Sequence, residues 1–405
     1  MPKPDYLRAA DFQYALPSDK IAAYPAEPRD ASKLLVYANG VVTDSTFGLL
    51  PAHLPQGTLL VANDTAVVNA RLIFTTKANQ RVEIFLLEPV GKSWENALLE
   101  KRNVVVNALI GNKRKWKRNE KLKIKNEKLN VALNALVEDE LQPFHVSLSW
   151  DDDSKTFAEV LLLFGHVPLP PYIKRGDEAA DKNSYQTVYA EHLGSVAAPT
   201  AGLHITPRVI SKLEANNCSF ARLTLHVGAG TFKPVDVENA LEHEMHPEAF
   251  SVSMGTLQLL IKQINSHQPV AAVGTTATRT LESLHAMGVQ LLNGKNVSDG
   301  FDVTQFEAYE ATNVSTLDTL NALVEHASTQ PDKKIHGKTR LMIAPGFQFR
   351  IVDHLITNFH QPGSTLLMLV SAFVGEDWKK IYDHALANDY RFLSYGDSSL
   401  LKRNV

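Results

Sequence analysis

The sequence predicts an α/β protein: a large domain with a mainly parallel sheet, interrupted by a small inserted β-barrel. Three observations predict it. From about residue 155 onward, helical and strand-like segments alternate, the pattern of strands joined by crossover helices. Between 72 and 152 the pattern changes to short, often alternating stretches, which suits a small barrel or sandwich. Finally, 405 residues exceed the span of one ordinary domain, which is roughly 100–200 residues. The expected division is 1–71 with 153–405 as the α/β body and 72–152 as the insertion.

The elements follow in order. TLLVAN (58–63) reads as a buried strand ending at Asn63-Asp64-Thr65. RVEIFLLEP, NVVVNALIG, EKLKIK, LNVALNALVE and FHVSLSW supply the insertion's strands. FAEVLLLFG (157–165) is a helix stopped by Gly165, and HVPLPPYIKR is stiffened by its prolines. TPRVISKLEANN (206–217) carries strong start signals, with Thr206 as N-cap and Pro207 at the first helical position. Strands are expected in ARLTLHVG (221–228), PVAAVGTT (269–276) and TRLMIAPG (339–346). Helices are expected over 256–267, 278–288, 316–327, 364–375 and 377–389, with Thr275 or Thr276 capping the second.

Composition narrows the function. Apolar residues at 44% and charged residues at 21% are globular values. The single cysteine, Cys218, excludes an internal disulfide framework and suits a reducing compartment. The N-terminus lacks an apolar signal core, and no run of ~18 apolar residues appears, so a cytoplasmic protein without a membrane span is expected. Net charge is −3, yet residues 101–125 carry ten Lys/Arg against one acid, Glu120. That run is +9 and leaves −12 for the rest. Such a polarised chain can present a basic face to a polyanion. An edge rich in lysine that blocks strand-to-strand aggregation is the structural alternative. Trp116 lies within the run, where an aromatic could stack on a base.

The chemistry concentrates in segments of small and polar residues. GSVAAPTAGLHIT (194–206) contains no charged side chain other than a titratable histidine. Its Pro199, Thr200, Ala201 and Gly202 allow a ligand to approach backbone closely. Four other turns follow expected strands: Asn63-Asp64-Thr65, HVGAGTF with Gly228, Gly230 and Thr231, GTTATR with Gly274, Thr275 and Thr276, and TNFH with Asn358 and His360. Ligands of α/β sheets sit beyond the carboxyl ends of strands. Neither phosphate-binding glycine motif is present, nor is a G-x-S-x-G elbow. In EHEMH, His243 and His246 are three apart, whereas a helical zinc pair needs four, so no metal is expected. His204, His226, His246 and His360 remain as histidines that could transfer protons or bind substrate. The residues alone therefore indicate a small-molecule pocket, proton-transfer candidates and a polyanion patch, without specifying a reaction.

A resemblance specifies it. DFQYALPSDKIAAYPAEPRDASKLLV, LLVANDTAVVNARL, GHVPLPPYIKR, YQTVYAEHLGSVAAPTAGLHIT, LTLHVGAGTFKPV, HEMHPE, AVGTTATRTLES, LITNFHQPGSTLLMLVSAF and YRFLSYGDSSLL resemble the S-adenosylmethionine:tRNA ribosyltransferase-isomerase family of queuosine biosynthesis. The matching segments run from residue 11 to 401. The resemblance implies transfer of the ribosyl part of S-adenosylmethionine onto 7-aminomethyl-7-deazaguanine at the tRNA wobble position. Adenine and methionine leave, and epoxyqueuosine remains. It implies a first step in which the carbon beside the sulfonium loses a proton, and no metal or redox cofactor. His204 or His226 is the expected proton acceptor. The expected substrate contacts also include Arg71, Tyr185, Gln186, Tyr189, His246, Arg279, Glu282 and Asp397. Arg279 and Glu282 would share one helix face, holding a methionine carboxylate or a ribose hydroxyl, or simply pairing with each other. Lys113, Arg114, Lys115, Trp116, Lys117 and Arg118 would meet the anticodon stem-loop. A monomer is expected. Two positions depart from the family pattern: Ala66 stands where an arginine is expected, and Gly363 where a lysine is expected.

Overall fold

The computed structural model describes residues 4–117, 119–139, 143–228, 235–298, 300–310 and 313–404. Its main feature is a ten-stranded sheet. In spatial order the strands are Phe301–Val303, Lys334–Thr339, Glu248–Ser253, Ser219–Leu225, Leu59–Asn63, Val270–Val273, His354–Asn358, Ser398–Lys402, Lys33–Ala38 and Val41–Thr46. The four from Ser219–Leu225 to His354–Asn358 run parallel. The sheet as a whole is mixed, because antiparallel neighbours flank this centre on both sides. The expectation of a mainly parallel sheet is corrected on that point. A parallel pair needs a long crossover, whereas Ala38 and Val41 are joined by Asn39 and Gly40, both at positive φ, which is a hairpin turn.

The central strands are buried along their whole length, as strands covered on both faces must be. Side-chain alternation sends Leu59, Val61, Ala272 and Leu355 into one core. Leu60, Ala62, Ala271, Val273 and Ile356 enter another on the opposite face. The first core also takes Leu257, Leu284, Leu320, Leu367 and Ile381. These come from helices Met254–Asn265, Thr275–Leu292, Thr316–Thr329, Thr365–Val374 and Asp377–Ala387. The second takes Val209 and Leu213 of Pro207–Ala215. Thr206 caps that helix by accepting from Val209 N, as its sequence signals anticipate. Each such buried aliphatic side chain contributes about 1.5–3 kcal/mol.

The segment TRLMIAPG contains no strand beyond Thr339; the strand is Lys334–Thr339. Leu341, Met342, Ile343 and Ala344 are buried as loop instead. A short apolar run marks burial, and it cannot by itself distinguish a strand from a core-lining loop.

The second sheet has seven antiparallel strands in the order Gly165–His166, Arg71–Thr75, Arg81–Pro89, Asn103–Gly111, Phe144–Trp150, Val131–Asp139 and Leu122–Asn126. Burial alternates strictly along Phe144–Trp150, as it should when one face is solvated. Phe74, Ile84, Val106, Leu133, Leu148 and Phe157 form a separate core. Helix Phe157–Phe164, started by a Thr156–Glu159 capping box, closes it. The strands Arg71–Thr75 and Leu122–Asn126 approach one another, yet among the described residues no ladder joins them. The sheet curls without hydrogen-bonded closure, so a closed barrel is not what the ladders describe. No helix among the described residues is long and apolar enough to cross a membrane.

Candidate functional site

Beyond the carboxyl ends of the central strands lies a cleft. Strand Val270–Val273 leads into Gly274, Thr275 and Thr276, which line it. Strand His354–Asn358 contributes Asn358 and continues into Phe359, His360 and Gln361, which line it too. Val227 and the segment Ala197–Ala201 complete the small-residue wall. Tyr172, Leu393 and Ser394 also border it. Of the segments expected to converge, Pro199–Ala201, Gly274–Thr276 and Asn358 with His360 meet here, and HVGAGTF contributes Val227. Asn63, Asp64, Thr65, Gly202 and Gly228 do not line the cleft, and Gly230 and Thr231 lie outside the described residues.

The local structure explains the open space. Gly274 has φ +90°, a conformation that costs a residue with a Cβ. It occupies the N-cap of the 18-residue helix Thr275–Leu292, and no side chain caps that end. Thr275 and Thr276 are thus helical residues on the cleft wall and not the cap expected of them. The helix's first N–H groups and its positive dipole end stand at the cleft. At Gly202 a Cβ would lie 1.9 Å from Tyr189 Oη, so only glycine lets that ring close over the loop. Gly228 is different, with no atom of the described residues within 4 Å of an added Cβ.

Three imidazoles surround the cleft in different ways. His360 lines it and places Nε2 2.8 Å from Thr357 Oγ1. Burial lowers its pKa to about 3. His204 lies one layer back: Nδ1 is 2.9 Å from Ser32 Oγ and Nε2 is 3.4 Å from Asn358 Nδ2. Burial lowers its pKa to about 4. Asn358 itself accepts from Thr200 Oγ1 at 2.9 Å, so His204 backs a cleft residue without being on the wall. His226 does not line the cleft either. Its Nε2 is 2.9 Å from Glu95 Oε1 and its Nδ1 is 3.4 Å from Thr65 Oγ1. The bond to His226 holds the Glu95 carboxyl down at about 2. Glu95 lies on helix Trp94–Leu99 beside the second sheet, so His226 joins the two sheets.

Other expected contacts have structural partners. Gln186 pairs with the backbone of Val67, donating to its carbonyl at 2.8 Å and accepting from its N–H at 3.0 Å. Asn63 clamps Leu225 in the same way, at 2.9 Å on each side. Asp64 accepts from Thr224 at 2.8 Å, and burial raises its pKa. Arg71 binds Glu83 in a fork at 2.5 and 3.0 Å. Tyr185 is buried edge-on against Tyr395. Asp397 accepts from Lys33 N and Arg391 N and pairs with the Arg391 guanidinium. Glu282 does not meet Arg279. It accepts from the N–H groups of Arg350, Ile351 and Val352 at 2.9–3.1 Å, staples that loop, and has its pKa raised by burial. Trp116 is also corrected: its ring is 3% exposed and its Nε1 donates to Glu120 O at 2.7 Å, so no face remains for stacking. Arg114, Lys115 and Lys117 around it are not buried, and Arg118 lies outside the described residues.

Sequence reasoning missed a second, smaller cavity, lined by His243, Met245, His246, Glu248, Arg279, Leu341, Met342, Ile343, Thr365, Leu366 and Leu369. Leu366 borders both cavities. The lining comes from separated segments of the chain, and only the pairing of Arg279 with a buried acid would have hinted at it. His246, expected in the substrate site, belongs to this second space. Asp64, Glu191 and His192 also bring potential ligand atoms within 4.8 Å of one another.

A mixed α/β body, with a cleft of small residues past its parallel strands and an antiparallel sheet attached, defines a ligand-binding α/β protein. Residues 9–401 match the family described as Queuosine biosynthesis protein, and the chain belongs to that family. S-adenosylmethionine:tRNA ribosyltransferase-isomerases are similar along nearly the whole length. That of Rhodospirillum rubrum is 38% identical, covering 98% of both chains. That of Sulfurihydrogenibium sp. is 36% identical, covering 98% of this chain and 100% of the relative. The crystal structure of S-adenosylmethionine tRNA ribosyltransferase from Thermotoga maritima is 27% identical over 96% of this chain and 99% of that one, with a TM-score of 0.46.

Proposed function

We propose that this protein is an S-adenosylmethionine:tRNA ribosyltransferase-isomerase. It transfers and isomerises the ribosyl moiety of S-adenosylmethionine onto 7-aminomethyl-7-deazaguanine at the tRNA wobble position. Epoxyqueuosine-tRNA forms, and adenine and methionine are released. The single observation that carries the reading is full-length membership of the queuosine family, supported by a cleft lined by Pro199–Ala201, Gly274–Thr276 and Asn358 with His360.

The geometry supplies a route for the first step. In the cleft, Ala197–Ala201 and Gly274 admit a nucleoside to the backbone, and the uncapped helix end receives its hydroxyl oxygens. His360 is the imidazole on the wall, and we read it as the proton acceptor in place of the expected His204 or His226. Its low pKa keeps it neutral, the form able to accept. The sulfonium carries its positive charge into the cleft; the adjacent C–H bond breaks, its electron pair stays on carbon to give an ylide, and the proton passes to the imidazole. The new carbanion is stabilised by the positive sulfur beside it, whereas burial opposes the new imidazolium. His204 acts through Asn358 as a positioning residue.

The basic side chains of Arg114, Lys115 and Lys117 support a reading in which residues 72–152 form an inserted unit that contacts tRNA phosphates. The protein is read as a cytoplasmic monomer that needs no metal or redox cofactor. The test is a turnover assay with S-adenosylmethionine and tRNA carrying the precursor base. Free adenine should appear only when that tRNA is present. Adenine release independent of tRNA, or none with it, contradicts the proposal.

A further inference from the structure

The second cavity contains an unusual buried cation. Arg279 is 6% exposed. Its Nη1 pairs with Glu248 and its Nε donates to Leu341 O at 2.9 Å. Its Nη2 is buried without a hydrogen-bond partner among the described residues. Leaving such a donor unmet is costly. An arginine on a cavity wall with one donor left over is suited to an oxygen anion. The Glu248 carboxylate on the same wall supplies the opposite charge for an ammonium group. Around them, Met245, Met342, Ile343, Leu366 and Leu369 form an apolar lining.

We infer that this cavity binds the α-amino-acid end of the donor, with the Arg279 guanidinium on its carboxylate, and that it retains methionine after the ribosyl group has left. The inference rests on the reading that the first cleft holds the nucleoside. Two observations place the ends together. Leu366 borders both spaces. Arg279 also lies on the helix whose start, Thr275 and Thr276, lines the nucleoside cleft. The separation along that helix is about one turn, ~5 Å, and the two methylenes between sulfur and the α-carbon cover a similar reach. The expected Arg279–Glu282 pair is thereby replaced by an Arg279–Glu248 pair that faces a ligand.

The test is calorimetric titration of the full chain with L-methionine, L-methioninamide and adenosine. L-methioninamide keeps the ammonium and thioether but lacks the carboxylate. It should bind about 10- to 100-fold more weakly than L-methionine, the range expected for one charge-assisted hydrogen bond. Arg279→Gln should erase that discrimination. Met245→Trp, at a partly buried position, should weaken both amino-acid ligands while leaving adenosine binding unchanged. The wild-type ligand pair decides the question even if Arg279→Gln fails to fold. Equal affinity for the acid and the amide overturns the inference. So does discrimination that survives Arg279→Gln, which would put the carboxylate elsewhere, such as the Gly274–Thr276 helix end. Adenosine binding with no methionine binding refutes this inference alone. Loss of adenosine binding as well refutes the nucleoside reading beneath it.

Discussion

At the scale of single residues, burial sets which groups can carry charge. Burial lowers the pKa values of His204 and His285 to about 4 and that of His360 to about 3. An unfolded histidine titrates near 6.5. The unfolded chain therefore binds protons first as pH falls. Stability from these sites is fully present above pH ~6.5 and drains away between there and pH ~4 to 3. For buried His204 the limit is about 3 kcal/mol. Denaturant midpoints measured from pH 7 to pH 4 should fall, and His285→Gln should make the fall shallower. A flat profile contradicts the burial account. At the wall itself, His360→Ala should lower the rate of adenine release by about 10²- to 10⁴-fold, the usual worth of a general base, with the KM for S-adenosylmethionine little changed. His226→Ala should act mainly on stability. The reverse ranking would return the base role to His226. The sequence exposes these candidates as histidines beside small residues. It does not rank them, because rank depends on which ring reaches the cavity. The departure at Gly363 has a structural basis: its φ is +64° and a Cβ would lie 2.4 Å from Gln13 Nε2. Nothing in the structure explains Ala66.

At the scale of elements, the helices are the most legible. Thr206-Pro207 and the apolar spacing behind it mark Pro207–Ala215, since caps and periodicity are local properties. Helix Thr275–Leu292 begins earlier than its sequence suggests, because its N-terminus is set by the cleft backbone and has no side-chain cap. Strand direction is less legible, because flanking strands find partners through the whole fold. The turn Asn39-Gly40 is the local hairpin signal that marks the antiparallel edge. Helix packing makes one sharp prediction. A Cβ at Gly288 would lie 2.3 Å from Thr319 Cβ, where helices Thr275–Leu292 and Thr316–Thr329 touch. Gly288→Ala should therefore destabilise the fold by about 1–3 kcal/mol through overpacking. Thermal melting would show it, and an unchanged midpoint contradicts this close approach.

At the scale of the whole molecule, the proposed reading assigns nucleoside chemistry to the mixed sheet and polyanion binding to the attached antiparallel sheet. The strip around Arg114 is readable as charge, while burial of Trp116 requires the folded core. Replacing Arg114, Lys115 and Lys117 by alanine should reduce the salt dependence of tRNA binding. The slope of log K against log salt should become shallower by roughly 0.7–0.9 for each phosphate that is no longer neutralised. Adenosine affinity should not change. An unaltered slope moves the tRNA surface elsewhere. The second cavity is invisible in the sequence because Met245, Arg279, Met342 and Leu369 meet only in three dimensions.

The central claim is that the cleft past the parallel strands receives the donor nucleoside. Hydrogen–deuterium exchange with and without S-adenosylmethionine tests it most directly. The account predicts added protection in 197–201, 274–276 and 357–361, the three backbone segments of the cleft wall. Protection confined to other segments, with these three unchanged at saturating ligand, contradicts it.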